Sequence, residues 1–381
     1  MPTESQVETT GGKPHFAQPL TDSRRVVILL NRRAGSRRRQ RRAAEIERSL
    51  RAAGFQVQVS AEPQELPELT GRLGKGGGLR AALAMGGDGT ASQVRNLVPL
   101  KIPLLPVPLG TENLLARYVG QLASGDAVRD TLERGVVVDL DLGRAGDRYF
   151  LLMFSAGFDA EVIRYLHANR RGNITHAAYM RPFLHAIRSY RYPELRLYCD
   201  EADERRTARM ERQNATLAGE PGGSNNPADI RRPPWPRESP SADSAIRCRW
   251  AFGCNLPLYA LALRPAPQAD PVDGLFDVCS FQRGSVGSTL RYLWHVFLRN
   301  HLSLPDAALT RCRRFRVETA NPTEAGEVAY QIDGEYAGQL PVDVEMLTGG
   351  LRLIVSRAAA NRLGFISAPL PYGGTACASV P

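Results

Sequence analysis

Three short loops in this chain combine glycine with a carboxylate, an amide or a hydroxyl in the way polyphosphate binding requires. The most informative is Gly86-Gly87-Asp88-Gly89-Thr90, which follows directly on an apolar run. Glycines there let the backbone approach a polyphosphate and turn its N–H groups onto it, and the start of a following helix adds its positive dipole end. Asp88 is placed to hold or orient Mg²⁺, or a water bound to it, beside the phosphates. Gly-Asp-Gly is also common in turns, so this loop alone leaves a plain strand-to-helix turn open. Asn31-Arg32-Arg33-Ala34-Gly35-Ser36 follows an earlier apolar run and Pro108-Leu109-Gly110-Thr111-Glu112-Asn113 a later one. Asn31 is placed to hydrogen-bond a nucleotide, Ser60 ends a second strand on the same rim, and Gly110 and Thr111 offer an N–H and a hydroxyl. Singly, Ser60 and Asn113 read more simply as cap or turn residues.

The elements that must position these loops alternate. Arg24 to Leu30 reads as a strand, and Ala43, Ile46, Leu50 and Ala53 recur at helical steps before Gly54 ends the helix. Phe55 to Ser60, Leu79 to Met85 and Leu104 to Pro108 read as further strands, with a helix over Ala91 to Leu97. Alternating strand and helix predicts a mostly parallel sheet covered on both faces, with all three loops at the carboxyl ends of its strands, where open α/β sheets bind ligands.

From Val136 onward the texture changes to short strands: Val136 to Leu142, Tyr149 to Ala156, Leu195 to Cys199, Arg247 to Gly253, Leu275 to Phe281 and Phe315 to Thr319. Helices around Ala177 to Tyr190 and Thr289 to Leu298 interrupt them. The reading is an N-terminal α/β domain over 23–135 and a largely antiparallel β domain over 136–355, flanked by a disordered tail over 1–22 and a second tail over 356–381. Within the β domain, 201–244 is nearly empty of large aliphatics and reads as a disordered insertion between two strands. Leu351 to Val355 is a late apolar strand able to return to one of the sheets.

No apolar run approaches the roughly 20 residues needed to cross a bilayer, and the N-terminal segment has no apolar centre of the secretory kind. The six cysteines form no CxxC pair and have too few histidines beside them for a zinc site, so they read as free thiols of a reducing, cytoplasmic compartment. A net charge of +10 favours anionic partners without choosing between nucleotides, phospholipid surfaces and nucleic acid.

Taken in order, the motifs resemble the catalytic domain of the diacylglycerol kinase family, which includes sphingosine kinases and bacterial lipid kinases. The likeness runs from Asn31 to Ser36 through Gly86 to Thr90 and Pro108 to Asn113. It continues in Phe154-Ser155-Ala156-Gly157-Phe158-Asp159-Ala160, in Asp270-Pro271-Val272-Asp273-Gly274-Leu275 and in Ile332-Asp333-Gly334-Glu335. It covers about Arg24 to Val355 apart from the insertion. The resemblance implies a nucleotide-binding domain like that of phosphofructokinase and NAD kinase, joined to a β-sandwich, with the active site between them. It implies ATP and Mg²⁺ as cofactors and a lipid hydroxyl as acceptor, diacylglycerol-like or sphingoid, at the inner membrane surface, where anionic phospholipid is the expected partner. It makes Asp333 the proton acceptor, with Glu335 two residues along a strand on the same face. It also associates Asp273, with Asp270 and Leu275, with a Mg²⁺ held by one side chain and flanking carbonyls, a donor set that suits a hard cation. A bare hairpin turn at Asp333-Gly334 stays open.

The sequence departs from the family at Arg32, where a proline is usual, at Leu114, where an aspartate is frequent, and at Tyr259-Ala260-Leu261-Ala262, where many members carry a glycine cluster. The last change touches the acceptor side of the pocket. Arg37, Arg38, Arg39, Arg41 and Arg42 oppose the positive end of the helix they open, so a phosphate, an acidic membrane or a carboxylate cluster is expected to offset them, beside the alternative of a solvated basic face. No RNA- or DNA-binding module is present. An NAD kinase-like soluble kinase and a catalytically silent nucleotide or lipid sensor are the competing readings, and a homodimer stays open.

Overall fold

The computed structural model describes residues 15–30, 37–74, 78–169, 179–200, 244–260 and 263–367. Asn31 to Ser36 and all but the last residue of the 201–244 insertion lie outside them.

The first third alternates as its periodicity predicts: β1 (His15–Ala17), β2 (Arg25–Leu30), α1 (Arg37–Ala52), β3 (Gln56–Ser60), α2 (Leu66–Gly74), β4 (Ala81–Gly86), α3 (Asp88–Leu97), β5 (Leu104–Pro108), α4 (Leu114–Val119) and α5 (Gly125–Arg134). Strands β5, β4, β2 and β3 lie side by side in that order and pair in parallel. Strands β2 after Arg25, β4 and β5 are apolar because both faces are covered, whereas the edge strand β3 alternates, with Gln56 and Gln58 exposed. Val26, Ile28, Leu83 and Leu105 pack with Ile46 and Leu50 of α1 and Val128 and Leu132 of α5. Val27, Leu29, Ala82 and Leu104 belong to the core on the opposite face, with Leu66 of α2 and Val94 of α3.

The remainder comprises β6 (Val136–Ala145), β7 (Arg148–Phe150), β8 (Met153–Gly157), α6 (Phe158–Ala168), α7 (Met180–Ser189), β9 (Leu195–Cys199), β10 (Ile246–Cys248), β11 (Trp250–Cys254), β12 (Phe276–Phe281), α8 (Val286–Phe297), β13 (Ala307–Cys312), β14 (Arg314–Thr319), β15 (Ala329–Ile332), β16 (Glu335–Gln339), β17 (Val342–Val355), α9 (Arg357–Arg362) and β18 (Phe365–Ser367). Six of these strands form an antiparallel sheet in the order β13-β12-β11-β8-β15-β16. The others do not close a second sheet of their own. Apart from β18, which pairs with β1, they extend the parallel sheet, in the order β10-β9-β14-β17-β5-β4-β2-β3, with β6 beside β17 and β7 paired to β6.

Strand β17 is the splice. Its first residues pair with β14, Leu353 pairs in parallel with Leu104 of β5, and β6 runs antiparallel along most of its length. The sequence pattern reveals only Leu351 to Val355 of this strand. The rest is obscured by a register shift between Leu347 and Leu351, where Gly349 adopts φ 66°. A second core, with Phe150, Phe154, Phe276, Phe315, Val317 and Val344, fills the space between the six-stranded sheet and the β9-β14-β17 part of the long one, which gives the sandwich.

The two presumed tails are corrected in part. Residues 15–17 and 365–367 pair as parallel strands, and Gln18 bridges to Val137. Ser356 caps α9 by accepting the Ala359 N–H. Ala17 and Phe365 are buried in the main core, so burial outweighs the polar composition around them.

Candidate active site

Strand β4 delivers its loop to the carboxyl edge of the parallel sheet, and α3 starts at Asp88, three residues earlier than its apolar period suggests. The loop is held by close packing. A Cβ on Gly86 would lie 2.1 Å from Thr90 Oγ1, and a Cβ on Gly110 would lie 2.3 Å from Gly87 Cα. The Leu109 N–H donates to the Gly86 carbonyl at 2.9 Å, and Asn113, at φ 53°, accepts the Gly110 N–H on Oδ1 at 2.7 Å. Glycine at 87 and 110 is therefore dictated by backbone proximity of two loops from neighbouring strands, and glycine at 86 by the Thr90 side chain of its own loop.

Asp88 does something the sequence does not reveal. Its Oδ2 accepts the Leu114 N–H at 2.9 Å and its Oδ1 the Leu115 N–H at 3.0 Å, so it caps α4 from another element. Asp88 thereby clamps the two loops together, and two of its roughly four lone-pair directions remain beyond those bonds. Burial raises its carboxyl above the ordinary range, against those two N–H bonds, and Glu112 adds to the rise. Thr90 is buried against Gly86 instead of facing outward, whereas Thr111 is exposed on its loop. Ser60 has the turn role that is its simpler reading: it is buried, and its hydroxyl donates to the Glu62 carbonyl at 2.8 Å and to Glu65, fixing the turn after β3. Asn31 lies outside the described residues.

Beside the Gly110 loop, Arg38, Arg39 and Arg42 of α1 line a cleft of about 330 Å³ together with Pro108, Leu109 and Gly110. The arginine run thus has a local reason: its cations and the Gly110 backbone face one anion-sized space.

The second half of the site comes from the hairpin β15–β16. Asp333 and Gly334 are its two turn residues, at φ 51° and 80°, the backbone of a type I′ turn for which Asp-Gly is a favoured sequence. The hairpin turn at Asp333-Gly334 is therefore real, and it leaves the Asp333 carboxylate able to face the site. Its place in the turn corrects the picture of Asp333 and Glu335 on one strand face. Its carboxylate is gripped by the β7–β8 connection: Oδ2 accepts the Leu151 N–H at 2.8 Å, and Oδ1 accepts those of Leu152 at 2.8 Å and Met153 at 3.2 Å. A carboxylate offers about four lone-pair directions. Three are used, and the remaining one lies on Oδ2. Burial pushes the Asp333 carboxyl up to about 7, against those three donors, with the charge of Asp88 adding to the rise. That value suits a general base at neutral pH.

Glu335 closes the gap between the halves, since its Oε1 lies 2.7 Å from where a Cβ on Gly89 would stand. Sequence reasoning missed the residues that hold this arrangement. Gln331 accepts the Gly334 N–H at 2.8 Å and donates to Ser155 Oγ at 2.9 Å and Asp159 Oδ2 at 3.2 Å. Tyr259, noted only as a departure from the family, donates its hydroxyl to Asp159 Oδ1 at 2.6 Å. Asn255 donates to the carbonyls of Asp141 and Leu151, both at 2.9 Å, and so fixes the segment that grips Asp333. The available signal was a polar residue inside a buried apolar run, at Gln331 in Ala329–Ile332 and at Asn255 just after Trp250–Cys254.

The Asp270–Leu275 segment packs against β6 and β17. Asp141 accepts the Gly274 N–H at 2.6 Å and the Gly349 N–H at 2.8 Å. Asp273 accepts the Leu275 N–H at 2.9 Å and is paired with Arg311, and Asp270 accepts the Val272 N–H at 3.3 Å. Burial pushes Asp141 up to about 7 and Asp277 to about 6, with Asp273 and Asp270 adding to both. Asp277 Oδ2 is buried without a hydrogen-bond partner. Among the described residues no three acidic, thiol or imidazole side chains converge as a metal site. The donor chemistry fits a hard cation only if backbone carbonyls supply most of the ligands.

A phosphate-suited loop edge faced by a carboxylate poised near neutrality, across two packed sheets, defines a phosphotransferase site. Comparison with known proteins narrows the class. Residues 25–145 match the diacylglycerol kinase catalytic domain, and residues 245–355 match the YegS C-terminal NAD kinase beta sandwich-like domain. The chain is 25% identical over 293 residues to a protein named diacylglycerol kinase from Mycobacterium tuberculosis (strain ATCC 25618 / H37Rv), covering 74% of this chain and 78% of that one. A crystal structure of a diacylglycerol kinase from Bacillus anthracis str. Sterne superposes with a TM-score of 0.57 at 17% identity, covering 88% of this chain and 97% of the other, and it shares the fold. The chain thus carries a diacylglycerol kinase catalytic domain followed by a YegS-type C-terminal domain, and is a kinase with that two-part architecture. Among the described residues no helix is long and apolar enough to cross a membrane.

Proposed function

We propose that this kinase transfers the γ-phosphate of ATP to the hydroxyl of a membrane lipid, a diacylglycerol or a near relative, with Asp333 accepting the hydroxyl proton. The observation that carries the reading is the Asp333 carboxylate: three backbone N–H groups fix it, one lone pair on Oδ2 stays available, and its pKa of about 7 matches proton abstraction at neutral pH.

Mg²⁺ carried in with ATP would offset phosphate charge. Gly86, Gly87, Gly89 and Gly110 let the loops approach the phosphates, and the arginines of the α1 cleft add positive charge there. Asp88 keeps the two loops in register through the N terminus of α4. Asp270, Asp273 and the Leu275 backbone are the residues that would hold a structural Mg²⁺ beside the sandwich. The acceptor hydroxyl meets Asp333 Oδ2, its oxygen attacks the γ-phosphorus in line, and the proton passes to the carboxylate as the bond to ADP breaks. The family match supports a lipid acceptor, since the relative it resembles over three quarters of its length is a diacylglycerol kinase.

A labelled γ-phosphate transfer assay tests this against mixed micelles of diacylglycerol, sphingosine, ceramide and phosphatidylglycerol, with NAD as soluble control. A labelled diacylglycerol is the expected result. Label on NAD alone, or on nothing while ATP still binds, overturns the reading.

A further inference from the structure

The amphipathic helix α8 is turned the wrong way out for a helix on a water-facing surface. Thr289, Tyr292 and Val296 face the protein and are buried. On the outer side Val286, Leu290, Trp294 and Phe297 recur at steps of four, four and three, and Leu298 and Leu302 follow. At about 100° per residue the first four fall within an arc of about 80°. All six are between 37% and 64% exposed, Trp294 and Phe297 most of all, and these two rings stack at 6.1 Å. Large exposed apolar patches on a folded protein mark interaction sites.

The charge around this face selects the partner. Helix α8 contains no acidic residue. Arg283, Arg291 and Arg299 border the face, and the acid beside them, Asp306, is buried and paired with Arg283 and Arg291. Two copies of this surface brought together would set arginines against arginines. An anionic bilayer meets both features: its interface takes tryptophan and phenylalanine rings, and its headgroups attract the arginines. The helix is also firmly seated, with a capping box between Ser285 and Ser288 and a 3.1 Å hydrogen bond from Thr289 Oγ1 to Tyr192. Tyr192 follows α7, another helix without acidic residues, which leaves Met180 and Leu184 exposed.

We infer that the outer face of α8, from Val286 to Leu302, docks the protein on a bilayer containing anionic phospholipid. This deepens the proposed function, and rests on it, by naming the surface through which the enzyme reaches a lipid acceptor. It is distinct from the arginines of α1, which line the cleft beside Gly110.

The test uses the full chain with vesicles of phosphatidylcholine, with or without phosphatidylglycerol, read by co-sedimentation and by tryptophan emission. Wild type should bind the anionic vesicles with a blue shift. The double variant Trp294→Ser/Phe297→Ser should partition roughly 10- to 100-fold more weakly, because two large apolar side chains leave the interface, while it phosphorylates a short-chain, water-soluble diacylglycerol as wild type does. Arg299→Glu should weaken binding to anionic vesicles alone. The inference is overturned if wild type does not bind, or if the double variant binds as wild type does. It is also overturned if sedimentation velocity shows a wild-type dimer that the double variant dissolves with vesicle binding unchanged. Vesicle binding that depends on Trp294 and Phe297, without transfer of phosphate to any lipid, would leave the docking surface standing and remove the proposed acceptor instead.

Discussion

Glu335 Oε1 lies 2.7 Å from the point where a side chain on Gly89 would begin. The contact joins the hairpin that carries Asp333 to the glycine loop at the end of β4, across 246 positions of sequence. Gly89→Ala would push Glu335 away, and Glu335 is flexible enough to give, so the fold should persist while turnover falls. The expected signature is a melting temperature near that of wild type with kcat/KM reduced. A variant with wild-type kinetics would show that this contact does not bear on catalysis.

Gly110→Ala should behave differently. Its Cβ would stand 2.3 Å from Gly87 Cα, where the obstacle is backbone and cannot rotate aside. The β4 and β5 loops would be forced apart, with a stability loss of about 1–3 kcal/mol from overpacking. Chemical denaturation of the two alanine variants side by side checks the contrast.

The poise of Asp333 predicts the pH response. The deprotonated form is the base, so kcat/KM should rise with pH through an acid limb centred near 7. Stability runs the opposite way. Because burial raises this carboxyl above its unfolded value, its contribution is full below that unfolded value, about 4, and is lost as pH rises through about 7. Asp333→Asn should lower kcat by about 10² to 10⁴. Asparagine tolerates the left-handed backbone at this turn, yet its amide cannot accept the Leu151 N–H, so a cost of about 1–3 kcal/mol is also expected. Turnover like that of wild type would remove Asp333 from the role of base.

Asp88 raises the Asp333 carboxyl through its charge. Asp88→Asn should therefore move the acid limb of the rate profile to lower pH, besides loosening the start of α4. An unmoved limb with reduced activity would confine Asp88 to a structural role, as the cap of Leu114 and Leu115.

The α1 arginines should act on the nucleotide. Arg38→Ala/Arg42→Ala is expected to raise the KM for ATP with little change in kcat at saturation, and the effect should shrink at high salt as the wild type's advantage is screened. An unchanged KM would return these residues to a solvated basic face.

Much of this was legible because it is local. A glycine run after an apolar strand, helical steps of three and four from Ala43 to Leu50, and an Asp-Gly pair after Ala329–Ile332 each announce their conformation within a few residues. These patterns determined the parallel sheet, the loops after β4 and β5 at its carboxyl edge and the position of Asp333 in the chain. Tertiary structure alone decided what those residues touch. It set Asp88 against the N–H groups of Leu114 and Leu115, Asp333 against Leu151 to Met153, and Ser60 into a turn of its own. It also spliced β17 into the sheet beside β5, where the pattern had promised two sheets in two domains. The physical reason is that periodicity reports only which face of an element is buried. The partner on that face, from 26 residues away for Asp88 to more than 180 for Asp333, is chosen by the packing of whole sheets, and each buried carboxylate takes the backbone donors that this packing brings to it.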